Sequence, residues 1–249
     1  MNLRYLQLAI LLALFSCVNF EKQDAAKTDD SVGHTSDGTV QAHYKDGSVR
    51  AEIKYKDGKK EGVAKEYYPT GVLFREIEYK RGKKEGFAKR YYKSGKIYQL
   101  TPYVNDTIHG ILKKYREDGK LSTEAPYVNG EPCYGLIEYT TQGKVKKNYP
   151  TIVVTPKNTL LKDGKYILRI SMSDKSRNVE FFEGSLDSDG CPQMKDNIYA
   201  SSRGVAELEF FLPMGAFMMK EFNFIARVKT IQGNYYVTRK KYNMAIENR

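Results

Sequence analysis

Between residues 38 and 147 short runs of alternating apolar and polar residues recur with one period. Gly47, Gly71, Gly95, Gly119 and Gly143 stand 24 apart, as do Tyr55, Tyr79, Tyr103 and Tyr127. Tyr67, Tyr91, Tyr115 and Tyr139 keep the same step, and so do Gly58, Gly82 and Gly130, with Asp106 in the vacant slot. Gly38, Gly62, Gly86 and Gly110 open the units, and Gly135 arrives one residue late. Independent columns sharing one period mark an internal repeat.

Each unit predicts two short strands. In the second unit Val63 to Tyr68 leads to the turn Pro69-Thr70-Gly71, and Leu73 to Tyr79 returns to Lys80-Arg81-Gly82. Alternation puts Leu73, Ile77 and Tyr79 on one side of the strand. Their equivalents Val49, Ile53 and Tyr55, then Ile97 and Tyr103, then Leu121 and Tyr127, predict a continuous apolar ladder. Glycine at the turns supplies positive φ, Asn129-Gly130 is a favoured hairpin pair, and Asp106 tolerates the left-handed region. The product is a meander of hairpins in which each repeat is stabilised by its neighbours.

After Tyr149-Pro150 the period stops and longer strands are predicted over 151–155, 165–172, 179–182, 205–211, 222–230 and 235–241. Turn signals at Lys162-Asp163-Gly164, Ser188-Asp189-Gly190 and Gln232-Gly233-Asn234 separate them. That spacing suits an immunoglobulin-like sandwich, similar in architecture only, because no Cys-Trp-Cys signature is present. The fold class expected is all-β: an antiparallel hairpin-repeat meander of about 24 residues per repeat, then an immunoglobulin-like β-sandwich.

The amino terminus reads as an address. One Arg precedes an apolar run, Leu8 to Phe15, too short to span a bilayer as a helix and suited to a signal peptide. Leu14-Phe15-Ser16-Cys17 resembles a bacterial lipobox, which implies cleavage before Cys17 and lipidation there; an ordinary secretory signal cut nearby is the alternative. Residues 18–37 carry five acidic side chains against two Lys and few large apolar ones, so they read as a tether. The expected organisation is 1–16 lipoprotein signal peptide, 17–37 flexible tether, 38–149 repeats and 150–249 sandwich.

The run Gly82-Lys83-Lys84-Glu85-Gly86-Phe87-Ala88-Lys89-Arg90-Tyr91-Tyr92-Lys93-Ser94-Gly95-Lys96-Ile97 resembles the MORN-variant repeat. Glu52, Glu76 and Glu124 occupy that family's acidic slot, and Leu100 departs from it. Bacterial proteins with such repeats are often labelled YwqK-type antitoxins, and family members serve as interaction scaffolds. The resemblance therefore implies a hairpin-built sheet and a role in binding; it is specific for fold and weak for function.

Composition narrows the classes further. The 249 residues include 20 Tyr, 11 Phe, 20 Gly and no Trp, which favours strands and turns over an all-helical chain. Three His and three Cys are too few for the common multi-ligand metal centres. The net charge is +11, and residues 38–149 supply 23 Lys and Arg against 14 Asp and Glu. A basic face for acidic lipid or an acidic partner is one reading; Lys-rich turns that keep an open sheet soluble is the favoured one. Nucleic acid is not expected as a partner, because the leader exports the chain.

No reactive constellation emerges. His34, His43 and His109 fall in unrelated contexts, and G-x-S-x-G, H-E-x-x-H and phosphate-loop patterns are absent. Glu76 and Glu78 share an exposed strand face and read as solvated. Asp187-Ser188-Asp189-Gly190 has the look of a calcium loop but lacks its third ligand and distal Glu, so a turn is expected. Cys133 and Cys191 could bridge the two domains outside the cytoplasm or remain buried thiols. Met214 to Met219 reads as core packing at a strand junction, with a contact loop as the alternative.

The expectation is a non-catalytic envelope lipoprotein, lipid-anchored through Cys17, in the outer membrane of a Gram-negative bacterium. It would bind or scaffold a protein partner through its repeats, without cofactor, metal or catalytic residues. An immunity protein that neutralises a toxin by direct binding is the runner-up.

Overall fold

The computed structural model describes residues 37–249. They form three antiparallel sheets and a single helical turn, Leu160–Asp163. Apart from that turn the regular structure of the described residues is all β, as the patterning predicts.

The repeat strands are Gly38–His43, Val49–Lys56, Gly62–Tyr67, Leu73–Lys80, Lys83–Tyr91, Ile97–Val104, Gly110–Tyr115 and Leu121–Val128. Each pairs with the next, so sheet order follows chain order, and two-residue strands complete a twelve-stranded sheet. Two kinds of turn alternate. At one end Arg81-Gly82, Asn105-Asp106 and Asn129-Gly130 hold both central residues at positive φ, between 48° and 86°. That geometry matches strand twist and makes a tight hairpin. At the other end Gly71 and its equivalents close a wider turn, with Gly71 N–H donating to the Tyr68 carbonyl and a register shift beside it at Glu66/Tyr67, as a bulge requires.

The apolar ladder forms only in part. Ala64, Ile77, Ala88 and Thr101 stand opposite one another across four strands. Ile77 is buried, and Thr101 and Ala125 fill its slot in the later repeats. Ile97, expected in the ladder, is 39% exposed, because it begins its strand next to the bulged turn, where pairing shifts between Arg90 and Tyr91.

Beyond residue 150 the three-stranded sheet Ile152–Thr159, Lys165–Met172, Ala206–Phe211 faces a four-stranded one. The latter runs Pro192–Ile198, Val179–Leu186, Phe217–Lys229, Tyr235–Glu247. Leu168, Ile170 and Met172 from one sheet meet Phe181, Phe222, Phe224, Val228 and Met244 from the other in one buried cluster. Strand Pro192–Ile198 was not anticipated. Five of its seven residues are exposed, so it shows no alternation and exists by pairing with Val179–Leu186. The Met214–Met219 segment departs from its expected burial. Ala216 and Met218 pack on the core, whereas Met214, Phe217 and Met219 are exposed, since Phe217 starts a strand that turns alternate residues outward.

The repeat sheet ends against the sandwich. Cys133 and Cys191 form a disulfide, and Tyr134 N–H donates to the Gly190 carbonyl. Leu112, Ala125 and Leu136 cluster with Tyr127, Tyr149 and Tyr236, the last two rings stacked at 4.5 Å. Within this joint the Glu138 carboxylate is fully buried. It accepts from Thr230 Oγ1 (2.6 Å) and Asn234 Nδ2 (2.7 Å), and Lys146 Nζ lies 3.0 Å away. Asn234 also donates to Thr123 and accepts from Lys114 Nζ. Burial alone drives the Glu138 pKa up; the hydrogen bonds from Thr230 and Asn234 and the Lys146 ammonium outweigh it, leaving it below the usual value.

Candidate functional site

The period places like residues in rows that run across the strands. On one face Tyr55, Tyr79, Tyr103 and Tyr127 stand opposite Gly38, Gly62, Gly86 and Gly110. Lysines lie over two of these rings: Lys60 Nζ is 5.5 Å from the Tyr79 centroid and Lys84 Nζ 5.1 Å from that of Tyr103. Burial raises the pKa of Tyr103 and Tyr127, so these phenols are neutral.

The opposite face carries a row of alternating charge. Glu52, Lys65, Glu76, Lys89, Leu100, Lys113 and Glu124 are successive cross-strand neighbours. The carboxylates also accept from tyrosine hydroxyls fifteen residues on: Tyr67 to Glu52 (2.9 Å), Tyr91 to Glu76 (2.7 Å) and Tyr139 to Glu124 (2.8 Å). That is why the acidic slot and the tyrosine column share a period. Leu100 gives Tyr115 no such acceptor. The Tyr67 hydroxyl, then Gln41, hold the Glu52 carboxyl below its usual pKa.

Beside that row lies a second one that sequence reading missed. Val63, Phe87 and Ile111 are 24 apart and sit two residues before Lys65, Lys89 and Lys113, hence on the same face. Each is between 44% and 46% exposed. The clue was an apolar column out of phase with the buried Ile77 set. A second unread column binds the repeats together: Tyr44, Tyr68 and Tyr92 donate to the carbonyls of Tyr67, Tyr91 and Tyr115, and Arg116 takes the same place toward Tyr139.

The reactive candidates remain scattered. His43 lies on the first strand, and His109 precedes strand Gly110–Tyr115, with its N–H on the Pro102 carbonyl. His34 and Cys17 lie outside the described residues. Glu76 is engaged by Tyr91 and Lys89. Asp187 binds its own loop, accepting from the backbone of Asp189 and Cys191 and from Gln193, as a turn does. Among the described residues no three His, Cys, Asp or Glu side chains gather as a metal site.

A family model described as the MORN repeat variant matches residues 60–81, 84–105 and 108–129. No curated protein matches the chain. The three matched units fall on the strands that carry Val63, Phe87 and Ile111, and they mark this region as repeat-built.

Proposed function

We propose that the protein is a non-catalytic binding module of the cell envelope, anchored by lipid on Cys17 and holding its repeat sheet toward a protein partner. The supporting observation is the row Val63, Phe87 and Ile111, half-exposed in three successive repeats beside the Glu/Lys row. An apolar stripe rimmed by charge suits a protein interface. Each repeat advances two strands, so the three side chains recur about every 9.6 Å, a spacing that rewards an elongated partner. The seven-stranded, two-sheet C-terminal unit acts as an immunoglobulin-like cap and spacer, and the anchor sits in the outer membrane of a Gram-negative cell.

Affinity capture from envelope extract tests this reading. Wild type is compared with Val63→Asp/Phe87→Asp/Ile111→Asp and with His43→Ala/His109→Ala, each first shown to be folded by circular dichroism. The expected outcome is loss of one specific partner from the first variant only. Activity lost in the histidine variant with capture intact in both points instead to an enzyme. A captured toxin that the protein silences assigns the immunity role.

A further inference from the structure

The two ends of the repeat sheet are unlike. The last strands, Glu131–Pro132 and Ile137–Glu138, run into the disulfide and the sandwich. Among the described residues the first, Gly38–His43, has a strand neighbour on one side only. Proteins usually blunt such an edge with proline or charge, and the other outer strands here do so. Ile152–Thr159 carries Pro156 and Lys157, Ala206–Phe211 carries Glu207 and Glu209, and Pro192–Ile198 carries Pro192 and Lys195. Tyr235–Glu247 carries Arg239, Lys240 and Lys241. Gly38–His43 reads Gly-Thr-Val-Gln-Ala-His, with no proline and no acidic, lysine or arginine side chain.

We propose that this edge is a self-association site: two copies of the chain pair their Gly38–His43 strands antiparallel about a two-fold axis through Val40, joining two repeat sheets into one. This goes beyond the partner-binding reading, uses different residues and stands independently of it.

The register follows from burial and charge. Val40 and Ala42 are half-buried, while Thr39, Gln41 and His43 are exposed. A pairing that keeps like faces together must oppose residues whose numbers sum to an even total. With the axis at Val40, Gly38 opposes Ala42 of the second copy, Thr39 opposes Gln41, and Val40 opposes Val40. Val40 already stands opposite Ile53, so the apolar row of each copy continues into that of the other. On the exposed face Gln41 neighbours Glu52 and Thr39 neighbours Lys54. The row ending in Glu52 and Gln41 therefore meets Thr39 and Lys54 of the second copy, acidic running toward basic, twice by symmetry. Asp37 falls opposite His43. An axis at Gln41 would instead run the Glu52 row into its own copy, which like charge disfavours. Six residues a side is far less than the roughly 20–30 of a standard interface, so the association is weak and concentration-dependent.

Sedimentation of the full chain over a wide concentration range tests the proposal, with folding checked by circular dichroism. Wild type is expected to move from monomer to dimer. Thr39→Lys/Gln41→Lys sets like charges opposite each other at both pairs and is expected to weaken dimerisation about tenfold or more. Thr39→Lys/Gln41→Glu sets opposite charges in those same pairs and is expected to restore it. Val40→Cys is expected to give an oxidised dimer, because facing Cα atoms about 4.5–5.5 Å apart lie within disulfide reach. A wild type monomeric throughout overturns the proposal, and so does a dimer that responds equally to both double variants, since the copies would then meet on another surface.

Discussion

The repeat sheet and the sandwich are both antiparallel β-structure, yet they hold together by different means. In the sandwich, sixteen buried apolar residues form one cluster, fourteen of them from the strands of both sheets, and position along the chain matters less than which face a side chain takes. In the repeat sheet the largest buried cluster has three members, at the joint with the sandwich. Its cohesion comes instead from bonds that recur with the period: tyrosine to carboxylate, tyrosine to carbonyl, and turn acid to backbone, as in Glu61 to Arg81 N–H and Glu85 to Asn105 N–H. A repeat satisfies itself from its neighbour and leaves its faces open. A sandwich closes its faces on each other.

The largest test of that contrast is truncation of the two cores. Phe224 is fully buried between the sheets, so Phe224→Ala is expected to destabilise by about 3–5 kcal/mol in urea melts. Ile77→Ala in the repeat sheet is expected to cost about 2 kcal/mol, the low end for such changes. Equal costs would mean the sheet hides a core of its own.

A smaller effect is expected at the joint, where the two modes meet. Glu138→Gln removes the charge from a buried acceptor and is expected to cost about 1.5–3 kcal/mol. The folded-state pKa of Glu138 lies below its ordinary 4.5. Its stabilisation is therefore complete above that value and declines as pH falls through the folded pKa. Wild type should lose stability on the acid side of 4.5 more steeply than the variant, read from melts across that range. Parallel pH profiles would show that Glu138 contributes nothing as an ion.

The smallest effects probe the periodic bonds. Tyr91→Phe removes the donor to Glu76 and is expected to cost about 1 kcal/mol. Leu100→Glu restores the missing acceptor between Lys89 and Lys113 and within the reach that Tyr115 should have, and is expected to stabilise by about 0.5–1 kcal/mol. A destabilised Leu100→Glu chain would show that the slot is packed for an apolar side chain.

Much of the repeat was legible because its period is visible in glycine and tyrosine, the residues that turns and cross-strand rows demand. The purpose of the acidic slot was not, since a bond between residues fifteen apart has no local signature. Nor was the exposed Val63, Phe87 and Ile111 row, because apolar residues invite burial and only sheet pairing shows which face they take. In the sandwich, alternation revealed Lys165–Met172 but not Pro192–Ile198, an exposed edge strand whose Gln-Met-Lys-Asp-Asn centre looks like loop. The disulfide left two readings open because spacing in sequence says nothing about which loops meet. Of the candidate site, the residue types were readable and their gathering into rows was not.

The order of the meander has a mechanical consequence. A pull on the chain ahead of residue 37, held against the sandwich, would load neighbouring strands across their hydrogen bonds rather than along them. Pairs would open one at a time, beginning with Gly38–His43 against Val49–Lys56, and each hairpin released would lengthen the chain by about 3.4 Å per residue. The unravelling would halt where Cys133 is tied to Cys191, beyond which the load passes through a covalent bond. Under such a load the repeats would yield in sequence up to a hard stop, and they would re-form in the reverse order when it is removed.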